Sequence, residues 1–325
     1  MAESHLAPLL QVEQLKTYYP IRKGIISRTA GYVKAVDGVN LNIYQGETLS
    51  LVGESGCGKS TIGRSIVRLE EPSEGRILFE GQDIAHYSNG KMKKVRADLQ
   101  MIFQDPYSSL NPRKRISDIL EEPMRVHNII PASEISKEVD RLLEVVGLPK
   151  SYKFRYPHEF SGGQRQRIGI ARALSLKPKL IVCDEPVSAL DVSIQAQILN
   201  LLKDLQKEFN LTYLFIAHGL GAVKYISDRI AVMYLGKVVE IATKEDIFTN
   251  AKHPYTKALL SAYPIPNPTL RSNERIVIQG DVPSPANPPS GCRFHTRCPL
   301  AKAICREQEP ELKGTTHAIA CFAAE

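Results

Sequence analysis

The stretch GESGCGKS, residues 53–60, fits the spacing G-x-x-x-x-G-K-[ST] and sits between an apolar run, TLSLV, and a helix expected to begin near Lys59. Glycines at that spacing let successive backbone N–H groups curl around phosphate oxygens, and a helix N-terminus behind them adds its dipole. Lys59 can reach the outer phosphates, while the Ser60 hydroxyl can bind Mg2+. A second stretch, CDEPVSALDVS over residues 183–193, sets Asp184 and Glu185 side by side at the end of the apolar run LIVC. Two adjacent carboxylates there serve either chemistry or the start of the helix that follows, for which Asp191 and Ser193 also qualify as caps. A third, FSGGQRQR over residues 160–167, opens a helix with Ser161, Gly162 and Gly163, whose N–H groups and hydroxyl form another anion site. The same phosphate loop has no use for it, so it implies a phosphate held elsewhere.

The elements that must present these stretches change character along the chain. LLQVEQLKTYY and KAVDGVNLNIYQGETLSLVG read as strands around a basic, Gly-containing interruption over residues 22–33. Alternation at Val36, Val39, Leu41 and Ile43 favours antiparallel pairing, whereas TLSLVG is a short continuous run suited to a buried strand. Over about 88–176 the composition is more polar, with KMKKVR and SKEVDRLLEVVGL at helical spacing, so a mostly helical inserted subdomain is expected. KMKKVR reads as a solvated helix face, since no aromatics accompany it as in a nucleic-acid site. Parallel α/β character then resumes with a helix after SGGQ, the strand LIVCDE, the helix IQAQILNLLKDLQKEF and the strand LTYLFIAH. Beyond YLGKVVE, the Pro- and Ser-rich YPIPNPTL and DVPSPANPPSG exclude long helix and mark an extended C-terminal appendage. The expected division is a core over 6–245 and an extension over 246–325.

The 325 residues, 43% of them hydrophobic, suffice for a large buried core. A formal charge of +7, from 42 basic and 35 acidic residues, suits phosphates, anionic headgroups or nucleic acid without choosing among them. The start MAESHLAPLL lacks the basic-then-apolar order of a secretory signal, and no run approaches the roughly 18 apolar residues of a membrane span. A cytoplasmic chain is therefore expected, reaching any membrane through partners. Cys57 and Cys183 lie alone, while Cys292, Cys298, Cys305 and Cys321 crowd the C-terminal end. In a reducing cytosol such a crowd reads as metal ligands before disulfides. Its spacing, C-x5-C-P-x5-C-x15-C, is not the paired C-x2-C of structural zinc sites, and four thiolates can hold either zinc or an iron–sulfur cluster.

The phosphate loop, the SGGQ helix start and the apolar strand ending in Asp-Glu, in that order, resemble the ATP-binding-cassette (ABC) ATPases, and the resemblance covers nearly the whole chain. It implies an α/β P-loop NTPase (RecA-like) nucleotide-binding domain with an antiparallel β subdomain, an α-helical subdomain and a Cys-containing C-terminal appendage. ATP would lie on Gly53, Glu54, Ser55, Gly56, Cys57, Gly58, Lys59, Ser60 and Thr61, with Tyr19 of TYYP, or Tyr18 beside it, stacked on adenine. Mg2+ would be ordered through Ser60, Gln104 and Asp184. Glu185 would act as general base on the attacking water, Gln104 of MIFQDP would link that water to the helical subdomain, and His218 of FIAHG would hold the γ-phosphate. Ser161, Gly162, Gly163 and Gln164 would contact ATP on a second subunit, with Asp191 at the dimer interface, so isolated chains should hydrolyse poorly. Gly219 stands where related importers often carry Asp. Cys57, among N–H dipoles at a helix start, is expected to have a lowered thiol pKa and to be alkylated with loss of activity.

ESGCGKST, FQDPYSSLNPR, KHPYTKALLSAYPIPNP and GDVPSPANPPSGCRFHTRCP narrow the resemblance to the ATPase subunits of oligopeptide and dipeptide importers, the second of the two usual ATPases. That implies a companion ATPase in a heterodimer, two transmembrane permease subunits, an extracellular substrate-binding protein, no nucleic acid, and a place on the cytoplasmic face of the cell membrane. The cargo would be a short peptide; a nickel or other solute importer is the alternative, and a soluble non-transport cassette protein a more distant one. The same resemblance favours a [4Fe–4S] cluster on the four cysteines over Zn2+; His295 and His317 lie nearby and read as free surface histidines before substitute ligands.

Overall fold

The computed structural model describes residues 7–24, 28–262, 276 and 278–324; the YPIPNPTL stretch, residues 263–270, lies outside them. The chain forms two compact units. One takes the described residues up to Leu9 with 43–48 and 86–217, and the other takes 10–42, 49–85 and the described residues from His218 on.

In the first unit, three apolar runs become the parallel strands Leu99–Ile102, Leu180–Asp184 and Thr212–Ile216, the middle one paired with both others. Leu180–Asp184 and Thr212–Ile216 are buried at every position, which is why their sequences are continuously apolar and do not alternate. The helices Asn89–Asp98, Ile135–Val145, Gly162–Leu174 and Val192–Phe209 stand where the helical spacing predicts them. In Ile135–Val145 the buried side chains are Ile135, Val139, Leu142 and Leu143, one face of a 3.6-residue period. Asn210, with φ 51°, supplies the left-handed residue that ends Val192–Phe209. A four-residue strand, Leu99–Ile102, interrupts the region that composition alone marks as helical.

In the second unit, a four-stranded sheet runs in the order Arg28–Ile43, Leu10–Lys23, Glu74–Phe79, Gln82–Asp83. The expected interruption over 22–33 is therefore shorter than the sequence suggests, because strand conformation persists to Lys23 and resumes at Arg28. A second set of strands begins with Thr48–Val52, which leads into the phosphate loop and pairs in parallel with Arg229–Tyr234. Arg229–Tyr234 turns back antiparallel through Leu235 and Gly236, both at positive φ (42° and 78°), into Lys237–Thr243.

The C-terminal stretch does not stand off as an extended appendage. Ala318–Ile319 pairs antiparallel with Lys237–Thr243, and Arg293 is buried, donating to the Leu235 carbonyl and the Asp37 carboxylate. Phe294, 1% exposed, packs edge-on against Tyr234 at 5.2 Å and at a tilt against Tyr255 at 5.4 Å. Pro-rich sequence forbids long helix, but these few anchors bury enough surface to fold the stretch back. The fully buried Glu240 adds a polar tie: it accepts from the Lys252 and His253 N–H groups at 2.7 and 3.0 Å, and His317 Nε2 lies 2.7 Å from it. Phe294→Ala is expected to destabilise the protein by about 3–5 kcal/mol, seen as a lower urea midpoint; an unchanged midpoint would remove this cluster as the anchor.

Candidate functional site

Gly53 (φ 153°) and Gly58 (φ 104°) bracket the phosphate loop, and a Cβ on either would overlap a backbone carbonyl oxygen, that of Met233 or of Ala35. No other residue type fits there. The Gly236 N–H donates to the Cys57 carbonyl at 2.9 Å, so the hairpin turn holds the loop from below. Helix Lys59–Ile66 starts at Gly58 with no side-chain cap, and the positive end of its dipole lies at the loop. Lys59, 4% exposed, folds over the loop and donates to the Gly53 and Glu54 carbonyls at 2.8 and 3.1 Å. Ser55 and Gly56 are exposed, while Ser60 and Thr61 are half-buried in the first turn.

Cys57 corrects an expectation. It is 4% exposed, and burial pushes its thiol above the ordinary range even though Lys59, 3.8 Å away, pulls the other way. The N–H dipoles and the ammonium act on a group that has lost its solvent, and desolvation wins. Alkylation of Cys57 at pH 7.5 is expected to be at least about tenfold slower than that of an exposed cysteine peptide, rising with pH, by mass mapping; rapid modification at neutral pH would contradict the burial.

Neighbouring strand residues point to opposite faces, which separates the two candidate tyrosines. Thr17 Oγ1 bonds Ser65 Oγ at 2.9 Å, and Tyr19, on the same face as Thr17, bonds Thr61, so both meet the helix behind the phosphate loop. Tyr18 instead donates its hydroxyl to Asp37. His218 is exposed, two residues beyond Thr212–Ile216, and Gly219 caps the short helix Leu220–Ile226.

In the first unit, Asp184 and Glu185 are buried, 1% and 6% exposed. Glu185 has φ 48°, a conformation costly for a long side chain, and its N–H is held by the Ile216 carbonyl at 3.0 Å. Gln104 Nε2 donates to Glu185 Oε2 at 2.8 Å, a pairing 81 positions apart that the sequence does not announce. Ser161 caps helix Gly162–Leu174 in a reciprocal box: its Oγ accepts from the Gln164 N–H at 3.4 Å, and Gln164 Oε1 accepts from the Ser161 N–H at 3.1 Å. A Cβ on Gly163 would strike Ile194. Ser161, Gly162 and Asp191 are exposed, and beside them Val192 is 82% exposed, an apolar side chain left in water.

The four C-terminal cysteines are free thiols, Cys305 buried and the others half-buried. Burial first, then the proximity of Cys305, Cys321 and Cys298, pushes the Cys292 thiol up to about 11. Backbone N–H groups of Lys302 and Ala323 point at the sulfurs of Cys305 and Cys321, each at 3.4 Å. Yet among the described residues no three His, Cys, Asp or Glu side chains are arranged to hold a metal ion. The four thiols the sequence offers as ligands are therefore not gathered into a metal site among the described residues. His295 Nδ1 lies 2.8 Å from the Cys292 carbonyl and His317 on Glu240, so neither is the free surface histidine the sequence suggests.

A glycine-gated phosphate loop, a buried Asp-Glu pair at a strand end and a capped SGGQ helix define a nucleotide-binding ATPase cassette. The chain belongs to the ABC transporter family: that family's model matches residues 36–188, and the model for the C-terminal region of oligopeptide/dipeptide transporters matches residues 239–305. It is 56% identical over 325 residues to the oligopeptide transport ATP-binding protein AppF of Bacillus subtilis, covering 99% of each chain. Identity to the oligopeptide transport ATP-binding protein OppF of Salmonella typhimurium is 51%, over 97% of this chain and 96% of that one. Among solved structures, the dimeric post-hydrolysis ATP-binding cassette MJ0796 bound to ADP and Pi matches 72% of this chain and 98% of its own at 27% identity, TM-score 0.64. Membership implies ATP and Mg2+ as ligands. No helix among the described residues is long and apolar enough to cross a membrane.

Proposed function

We propose that this chain is the ATP-hydrolysing motor subunit of an importer of di- and oligopeptides. The observation that carries the reading is near full-length identity to oligopeptide transport ATP-binding proteins, extending through the C-terminal region at 239–305. ATP lies on residues 53–61 with adenine against Tyr19, whose placement on the face of the phosphate-loop helix supports it over Tyr18. Ser60, Gln104 and Asp184 would hold Mg2+, which would supply positive charge to offset the phosphates. Glu185 takes a proton from the attacking water, Gln104 orients Glu185 through their hydrogen bond, and His218 holds the γ-phosphate.

The exposed Ser161, Gly162 and Asp191, with Val192 bare beside them, suit a surface that closes on a second, non-identical cassette ATPase, where SGGQ meets the partner's ATP. Two permease subunits and an extracellular substrate-binding protein complete the assembly and hold the chain at the cytoplasmic face of the cell membrane. Glu185→Gln is expected to bind ATP as the parent does while turnover in the assembled complex falls on the order of 10²–10⁴-fold; substantial residual hydrolysis would count against Glu185 as the base.

The four cysteines would hold a [4Fe–4S] cluster with a structural role, a reading that rests on four thiols within the last 34 residues and on the N–H groups directed at two of the sulfurs. Protein purified without oxygen is expected to be brown and to contain about four irons per chain, the nuclearity of such a cluster. Colourless, iron-free protein would refute it.

A further inference from the structure

We infer that Arg297 is a positioning residue of the nucleotide site, neutralising Glu54 so that the phosphate loop accepts a polyphosphate. This rests on reading residues 53–61 as the ATP site. Glu54 is the second residue of a loop built from N–H donors, and a bare carboxylate there would repel the phosphates those donors attract. Arg297 Nη1 lies 2.9 Å from Glu54 Oε2 and donates to the Tyr234 hydroxyl at 3.3 Å, with its guanidinium 5.9 Å from the Tyr234 ring centroid. Its side chain is 9% exposed against 28% for Glu54, so water screens the pair far less than a surface ion pair.

A neutral bond reaches the same loop residue from the same side: the Glu54 N–H donates to the Tyr255 hydroxyl at 2.9 Å. Tyr255 and Tyr234 pack at 4.8 Å between ring centroids and share Phe294 as neighbour. Arg297 closes a tight turn, its own N–H on the Phe294 carbonyl at 3.0 Å, so the cluster that anchors the C-terminal stretch also aims the guanidinium. Nothing in GESGCGKS foretells an arginine 243 positions away.

The test is ATP affinity of the full-length chain by calorimetry, comparing the parent with Arg297→Met, Arg297→Met combined with Glu54→Gln, and Arg306→Ala. Arg306 is an exposed arginine of the same stretch. Arg297→Met is expected to weaken binding about tenfold, and adding Glu54→Gln to restore it to within about threefold; Arg306→Ala should match the parent. Unchanged affinity in Arg297→Met overturns the inference, as does a loss that Glu54→Gln fails to relieve, which would make Arg297 merely structural. If Arg297→Met does not fold, Arg297→Lys should bind ATP at least about fivefold more tightly than Arg297→Gln, and equal affinities overturn the inference. A parent chain that binds no ATP would overturn the site reading itself, and the inference with it.

Discussion

A loop that binds phosphate with backbone N–H groups works only if the backbone is already open before the anion arrives, and here steric exclusion and one hydrogen bond enforce that. Gly53 lies against the Met233 carbonyl, Gly58 against the Ala35 carbonyl, and Gly236 donates to Cys57. The consequences spread through the second unit. Thr48–Val52 must be paired with Arg229–Tyr234 to bring Met233 under Gly53, and the Leu235–Gly236 turn must be tight enough to offer its N–H to the loop. Arg293 then fixes that turn through the Leu235 carbonyl, so the C-terminal stretch stabilises the loop it never touches in sequence.

The first unit carries a different constraint. Glu185 is held at φ 48°, where a long side chain pays about 1–3 kcal/mol. The Ile216 carbonyl and the Ser188 hydroxyl and N–H, which grip Glu185 on either side, over-determine that conformation. In that conformation the Glu185 carboxylate accepts from Gln104. Capping falls to other residues: Ser161 does it with its side chain, whereas Asp191 precedes Val192–Phe209 without a side-chain bond and leaves its carboxylate exposed.

Legibility followed the range of the interaction. The phosphate loop, the SGGQ helix start and the buried strands could be read because each is written within ten or so residues as glycine spacing, cap chemistry or an apolar run. At Cys57 the local dipoles are visible in sequence and the burial that outweighs them is not. The strands on either side of residues 22–33 run longer than Gly24 and Gly31 suggest, since sheet pairing overrides their weak propensity. Arg297, Tyr255 and Tyr234 carry no such local signal, because Arg297 and Tyr255 meet the Glu54 of a distant motif and Tyr234 meets Arg297. The aromatic spacing of Phe294 and Tyr255 carries no periodic signal in a Pro-rich stretch.

A peptide-import motor is tested most directly by ATP hydrolysis in membrane vesicles containing this chain with the proposed companion ATPase, permease pair and substrate-binding protein. Short peptides should raise the rate severalfold, and Ni2+ should not. A rate indifferent to peptides, or one that answers to Ni2+ instead, would contradict a peptide-import motor.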